Sequence, residues 1–319
     1  MMWQTIYRLK TIQNMTHHQD MEQDTLYKSR SAKACMVAAY HLYNDHFKTI
    51  FKTLWMPVSL YTLLVALASA SVTWWQKELS GDGNIISVAG LTSLLLMLLT
   101  VLTSLFMQAR ILSFLNKKTR KWNLKRCVRL MAYTFILALP TGALCFAAAW
   151  GASLLLKDSG FQLLAPLLFL VMTWLIAVFW AYPSMRYLME DDNAFGKQLP
   201  VSFKRGCRYS GLIYSTVFLS SIILSVLSAI PLLPTIIVIT AQWSSHNGII
   251  TGDPAGMNAS FPVFYIIAHI LSAFVLTFLS FWALFTHYYL YGAIEGNEQE
   301  RNDRKPFVSE TNKDELSTR

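Results

Sequence analysis

Six stretches of the chain consist almost entirely of apolar residues, and short polar segments separate them. They cover residues 54–75, 85–109, 130–156, 161–182, 212–241 and 261–294, and none contains Asp, Glu, Lys or Arg. The hydrocarbon core of a bilayer requires about 20 apolar residues per helix, so each stretch can cross it. The pattern predicts an all-α polytopic membrane protein with six transmembrane helices.

The segments between these stretches alternate in charge. Segment 110–129 carries eight Lys and Arg, and segment 184–209 carries five. The other three connections hold only two basic residues in total, Lys77 and Lys157, in segments 76–84, 157–160 and 242–260. Basic segments stay on the cytoplasmic side of a membrane. We therefore expect both termini in the cytoplasm and three helical hairpins, each closed by a short outer loop.

The regions outside the six stretches are polar. Residues 1–35 predict a cytoplasmic tail, and residues 295–319 predict a disordered one. Between the first tail and the transmembrane domain at 54–294, residues 36–53 space apolar side chains at helical intervals, as typified by Val37, Tyr40 and Phe47. This spacing predicts an amphipathic helix on the inner membrane surface, with a cytoplasmic extension of the first span as the alternative.

Small residues at four-residue spacing indicate where the predicted spans contact one another, because helices in lipid associate through close packing of small side chains. Candidate contact stripes are Ala66 and Ala70 in the first span, Ala143, Ala147 and Gly151 in the third, and Ser221, Ser225 and Ala229 in the fifth.

Composition narrows the possible chemistry. The chain is 54% hydrophobic and 14% charged, whereas soluble domains carry about 25% charged residues. Proton relays and ion-coupled pumps need ionisable groups within the bilayer, and the six stretches contain no Asp, Glu, Lys or Arg. Protease, hydrolase and nucleotide-binding motifs are absent from the sequence, and its four cysteines form no CxxC pair. We expect no enzymatic activity, no metal and no cofactor.

The basic segments have a direct physical role, because each Lys or Arg near an anionic leaflet contributes about 1 kcal/mol of attraction. Segment 110–129 contains no acidic residue. We therefore predict a membrane scaffold, or an accessory to envelope or lipid processes, that contacts anionic headgroups on the cytoplasmic leaflet. The sequence does not identify a protein partner. The predicted contact residues are Lys117, Lys118, Arg120, Lys121, Lys125, Arg126 and Arg129.

Two other functions remain open. A transporter or permease for a neutral or lipid-like solute would use Pro231, Pro234 and His269, since prolines kink a span and His269 is the one ionisable side chain deep in an apolar stretch. We expect that histidine to be neutral and bonded to a neighbouring helix. A lipid-modifying enzyme would bind Mg²⁺ through Glu190, Asp191 and Asp192, although a solvated helix end explains these acids more simply.

One segment resembles a known family. Residues 195–214 read FGKQLPVSFKRGCRYSGLIY, with Phe195, Ser202-Phe203, Gly206, Arg208 and Gly211 just before a long span that contains prolines. This arrangement is similar to the repeated inner segments of bacterial six-helix membrane proteins, among them the membrane domain associated with glycerophosphoryl diester phosphodiesterases. The resemblance implies a bacterial inner-membrane protein. It does not imply the phosphodiesterase activity, which belongs to a soluble barrel domain that this chain has no room for.

Overall fold

The computed structural model describes residues 26–82, 87–155, 164–190, 195–250 and 260–317. The elements in these residues are eight α-helices, and no strand occurs among them. In chain order the helices are α1 (Ala32–Asp45), α2 (Phe47–Asp82), α3 (Val88–Asn116), α4 (Arg120–Leu155), α5 (Leu164–Met189), α6 (Phe195–Arg208), α7 (Ser210–Ile250) and α8 (Phe261–Ser317). The all-α prediction is confirmed for this part of the chain.

Five of the helices are long and apolar enough to cross a membrane. The qualifying segments are Phe47–Trp75, Val88–Asn116, Arg120–Ala147, Ser210–Ser245 and Phe261–Asp303. They correspond to the predicted spans one, two, three, five and six. The predicted fourth span falls on α5, which is not among the five, so the number of six spans stays a prediction.

The helix boundaries differ from the predicted domain boundaries at both ends. The amphipathic segment 36–53 does not form one helix, because the chain breaks at His46 between α1 and α2. The Ser31 side chain accepts a hydrogen bond from the Ala34 N–H and so caps the start of α1. At the other end, α8 continues through the boundary expected at residue 295 as far as Ser317, so residues 295–317 of the predicted disordered tail are helical.

Helix α8 is the common partner of the bundle. Its residues Phe278–Phe285 pack in one apolar cluster with α1, α2 and α3, through side chains such as Met36, Leu54 and Ile111. One to two turns further on, Leu290 and neighbouring residues pack with Val178 of α5 and Ile213 of α7.

A third cluster joins α3, α4 and α5 around Leu112, Cys127 and Leu188. Helix α4 therefore reaches the rest of the bundle through its two chain neighbours. Arg110 Nη1 donates to the Thr53 carbonyl oxygen at 3.0 Å, which shows that α2 and α3 run antiparallel. Trp180 Nε1 donates to Thr134 Oγ1 at 3.1 Å, and together with the contacts of Arg126 described below this places α4 and α5 antiparallel.

The outer surfaces of these helices are strongly apolar. Val226 and Ile230 of α7 are 67% and 76% exposed, and Leu94 of α3 is 68% exposed. Contiguous apolar surface of this kind is rare on soluble monomers. It is the surface expected of helices whose solvent is lipid.

The predicted contact stripes are confirmed only in part. Ala66 of α2 is fully buried, whereas Ala143 of α4 and Ser225 of α7 face outward. On α7 the buried small residues are instead Ser220 and Ser228. That face lies one residue, or about 100° of helix rotation, away from the predicted stripe.

Ala66 provides a test of this packing. Because Ala66 is fully buried, Ala66→Leu forces three extra carbon atoms into a filled interface and should lower the free energy of unfolding by about 1–3 kcal/mol. Ala143→Leu is the matched control, since Ala143 is exposed and should tolerate the change. Equilibrium unfolding of both variants in mixed detergent micelles measures the difference, and equal stabilities would contradict the assigned helix faces.

Candidate functional site

The turn between α3 and α4 presents a dense group of basic side chains at one end of the bundle. Helix α3 ends at Asn116, Lys117 adopts the left-handed conformation with φ 55° and ψ 15°, and α4 begins at Arg120. A left-handed residue at this position is the usual way to end a helix, although glycine is the residue that adopts it most easily. Five of the predicted headgroup residues are exposed here: Lys117, Arg120, Lys121, Lys125 and Arg129.

A buried amide network holds this turn in place. Asn123 is fully buried, and its side chain exchanges hydrogen bonds with that of Asn116 at 2.7 and 3.1 Å. Asn123 Nδ2 also donates to Ser113 Oγ at 3.0 Å, and the Lys118 N–H donates to Asn116 Oδ1 at 3.0 Å. Satisfied buried networks of this kind rigidify their surroundings, so the basic side chains are carried on a fixed backbone.

Lys118 and Arg126 share one aromatic ring. The Lys118 ammonium lies 4.6 Å and the Arg126 guanidinium 4.2 Å from the centre of the Trp122 ring, within the range of cation–π attraction. Desolvation lowers the pKa of Lys118, and the positive charge of Arg126 adds to the effect. The indole therefore holds two like charges together beside the exposed basic residues.

Arg126 does not belong to the predicted lipid-facing set, because its side chain points into the bundle. It is 4% exposed, and Nη1 donates to the carbonyl oxygens of Tyr187 and Glu190. These carbonyls are at the C-terminal end of α5, where the last helical turn lacks intrahelical donors and a positive charge is favourable. Arg126 thus fastens the end of α5 to α4.

A cluster of ion pairs joins α5, α6 and α8 at this same end, which we call the basic end. Glu295 of α8 lies at its centre. Its carboxylate accepts from Arg205 Nη1 at 2.7 Å and from the Tyr182 hydroxyl, and lies 3.7 Å from Arg186 Nε.

The cluster extends in both directions from Glu295. Arg186 Nε also donates to Glu190 at 2.8 Å, and Arg208 Nη1 donates to Glu298 at 2.8 Å. Arg301 lies 3.7 Å from the same Glu298 carboxylate. Burial raises the pKa of Tyr209, and the negative charge of Glu298 adds to that effect.

Of the three acidic residues considered for Mg²⁺, Glu190 lies within the described part of the chain. The Glu190 carboxylate is engaged by Arg186 and by Gln198, whose Nε2 lies 3.4 Å away. Asp191 and Asp192 lie outside the described residues. Within the residues that the structure describes, no group of three or more metal-ligating side chains occurs.

The residues of the transport hypothesis lie near one another on α7 and α8. Helix α7 continues through Pro231 and Pro234, and the next residue, Thr235, donates to Ser272 Oγ of α8 at 2.8 Å. His269 is 8% exposed, stacks on the Tyr265 ring at 4.1 Å, and bonds through Nδ1 to the Tyr265 carbonyl oxygen at 2.8 Å. The expected hydrogen bond of His269 therefore exists, but its partner lies one turn back on the same helix.

The roles of Glu295 and Glu298 were missed by the sequence analysis, which assigned them to a disordered tail. The sequence does contain a signal. Arg205 and Arg208 are three residues apart, Glu295 and Glu298 are also three residues apart, and the structure pairs them in order. Matching spacing of opposite charges on two helices is the pattern that could have revealed this contact.

No protein-family model, curated protein or solved structure matches this chain. The resemblance to bacterial six-helix membrane proteins therefore rests on the residues quoted above and stays a prediction.

Removing the central carboxylate tests the ion-pair cluster. Glu295→Gln leaves Arg186 and Arg205 without their shared partner, and the partly buried setting should make the loss about 2–3 kcal/mol of unfolding free energy, below the cost of breaking a fully buried pair. Glu300→Gln is the control, because Glu300 is exposed on the same helix. A double-mutant cycle with Arg205→Gln isolates the pair, and an interaction energy near zero would contradict its role.

Proposed function

We propose that the protein is a six-span scaffold or accessory protein of a bacterial inner membrane, with both termini in the cytoplasm. It acts without enzymatic activity, and its α3–α4 turn contacts anionic lipid headgroups on the cytoplasmic leaflet. The exposed residues Lys117, Arg120, Lys121, Lys125 and Arg129 provide this contact, together with the half-buried Lys118.

The arrangement of the basic segments supports this topology. Arg110 contacts Thr53, Arg126 contacts the end of α5, and Arg205 contacts α8. Residues 36–53, segment 110–129 and segment 184–209 thus lie at one end of the bundle. This arrangement is the one expected if all basic segments face the cytoplasm.

The observation that carries the lipid-binding proposal is the contrast between two basic regions at this end. Arg186, Arg205 and Arg208 are neutralised within the bundle by Glu190, Glu295 and Glu298. Segment 110–129 contains no Asp or Glu, and five of its basic residues are exposed on the rigid turn. An anionic membrane surface attracts exposed positive charges of this kind by about 1 kcal/mol each.

A transport function with Pro231, Pro234 and His269 remains the alternative. It requires a polar path beside His269, whereas the hydrogen bonds described above satisfy that side chain and Thr235 within α7 and α8. These contacts favour a structural use of the residues.

Cysteine accessibility tests the six-span topology. Cys207 is exposed and should react with a membrane-impermeant maleimide only after cells are permeabilised, as should Lys117→Cys in a background without the other cysteines. Ser260→Cys, on the opposite side, should react in intact cells. If α5 does not cross the membrane, positions 117 and 207 will lie on opposite sides, and that result would rule out six spans.

Charge neutralisation tests the lipid contact. Replacing Lys117, Arg120, Lys121, Lys125 and Arg129 by Gln should weaken binding of fluorescent phosphatidylglycerol to the purified protein in neutral detergent about tenfold or more, because each charge near the headgroups contributes about 1 kcal/mol before screening. Detergent solution removes any effect of altered insertion. Binding of phosphatidylcholine should not change.

The control variant removes the same charge elsewhere by replacing five other exposed lysines, Lys28, Lys33, Lys48, Lys52 and Lys204, with Gln. It should retain most of the phosphatidylglycerol affinity. If both variants lose affinity equally, net charge rather than the turn governs the interaction, and the proposal fails.

A further inference from the structure

Residues 26–31, which we call the strap, lie across α8 at two glycines. A Cβ atom built on Gly292 would lie 2.5 Å from the Leu26 carbonyl oxygen and 2.6 Å from its Cδ1. A Cβ atom on Gly296 would lie 2.9 Å from the Tyr27 carbonyl carbon and 3.0 Å from Lys28 N. Only glycine allows the strap backbone to approach α8 this closely.

Three other glycines in the described residues do not share this close approach. A Cβ atom built on Gly142, Gly196 or Gly211 would meet nothing within 4 Å. Gly292 and Gly296 are four residues apart, so they lie on one face of α8 and form a shallow groove in it. The strap occupies that groove.

Side-chain contacts fix the position of the strap along the groove. Ser29 Oγ donates to Asn297 Oδ1 at 2.6 Å, and the Tyr27 and Tyr291 hydroxyls lie 3.4 Å apart. The Arg30 guanidinium stacks over the Tyr289 ring at 5.2 Å. These contacts extend along about two and a half turns of α8, from Tyr289 to Asn297.

Cys35 follows the strap on the first turn of α1. Cys35 is fully buried, and its thiol lies 3.7 Å from the Tyr289 carbonyl oxygen. Burial raises the pKa of this thiol to about 11, although the nearby Arg30 opposes the shift. The thiol is therefore shielded while α1, which begins directly after the strap, stays packed against α8.

The strap has the features of a locally unstable element. Lys28 and Ser29 are exposed, and the Lys28 N–H bonds within the strap to the Leu26 carbonyl oxygen. Segments with exposed backbone and a small apolar contact open at low free energy while the core stays folded. Leu26 is the buried apolar side chain of the strap.

We propose that residues 26–31 form a releasable strap on the basic end. When seated on Gly292 and Gly296, the strap holds the start of α1 against α8. When released, it uncovers Cys35 and the tyrosine-lined groove of α8. This device is independent of the lipid contact, because none of its residues belongs to the α3–α4 turn.

Thiol labelling tests the groove. In the full-length protein in detergent, Gly292→Ala or Gly296→Ala should raise the rate of maleimide labelling at Cys35 about tenfold, because an overpacked contact shifts the strap toward its open state. Peptide mass spectrometry reads each cysteine separately. Exposed Cys207 is the reference, buried Cys127 reports loss of the core, and Gly142→Ala is the matched substitution that should change nothing.

A reversible crosslink tests the release itself and does not depend on the glycine variants. Ser29→Cys with Asn297→Cys should form a disulfide that holds the strap closed, since the native side chains are in contact, with Ser29 Oγ 2.6 Å from Asn297 Oδ1. Cys35 should then label about tenfold more slowly in the oxidised than in the reduced protein. Failure of the crosslink to form, equal rates in the two states, or unchanged Cys35 labelling in the glycine variants would overturn the proposal.

Discussion

The carboxylate of Glu295 is the contact on which the arrangement of α5, α6 and α8 depends. It accepts from Arg205 and Tyr182 and lies beside Arg186, so three helices meet at one negative charge. Charged groups cannot retreat into hydrocarbon, which leaves the ends of the helices as the place for such a contact. An ion pair at the helix ends can therefore fix how these helices are aligned along the bundle axis. The apolar surfaces of the helices contribute buried area but favour no single alignment.

The same residue type serves two purposes at the basic end. Arg186, Arg205 and Arg208 form ion pairs within the bundle, and Arg126 binds carbonyl oxygens at the end of α5. The basic residues of the α3–α4 turn are instead held outward on a backbone fixed by Asn123. Counting positive charges along the chain does not separate these uses, and only the packing of the helices does.

The sequence was sufficient to predict the helices but not the helix faces that contact one another. The physical reason is that lipid surrounds these helices. The apolar stretches stand out because lipid-crossing helices lose their charges. Once every face of α7 is apolar, no periodicity distinguishes its buried face, which explains why the predicted stripe through Ser225 lies one residue away from the buried face that holds Ser220 and Ser228. Arg126 could have been placed inward from its neighbours, because Asn123 and Cys127 share its helix face. The groove at Gly292 and Gly296 follows the small-residue spacing that membrane helices use for close contact. The strap that occupies this groove is far from it in the sequence, so the spacing alone does not predict the contact.

The length of α8 has a consequence for depth. Twenty-six positions separate His269 from Glu295, which corresponds to about 39 Å of helix at 1.5 Å per residue, whereas the hydrocarbon layer is about 30 Å thick. If Glu295 lies at one boundary of that layer, an upright α8 carries His269 past the opposite boundary. The two side chains can therefore lie within the thickness of the hydrocarbon layer together only if α8 tilts strongly.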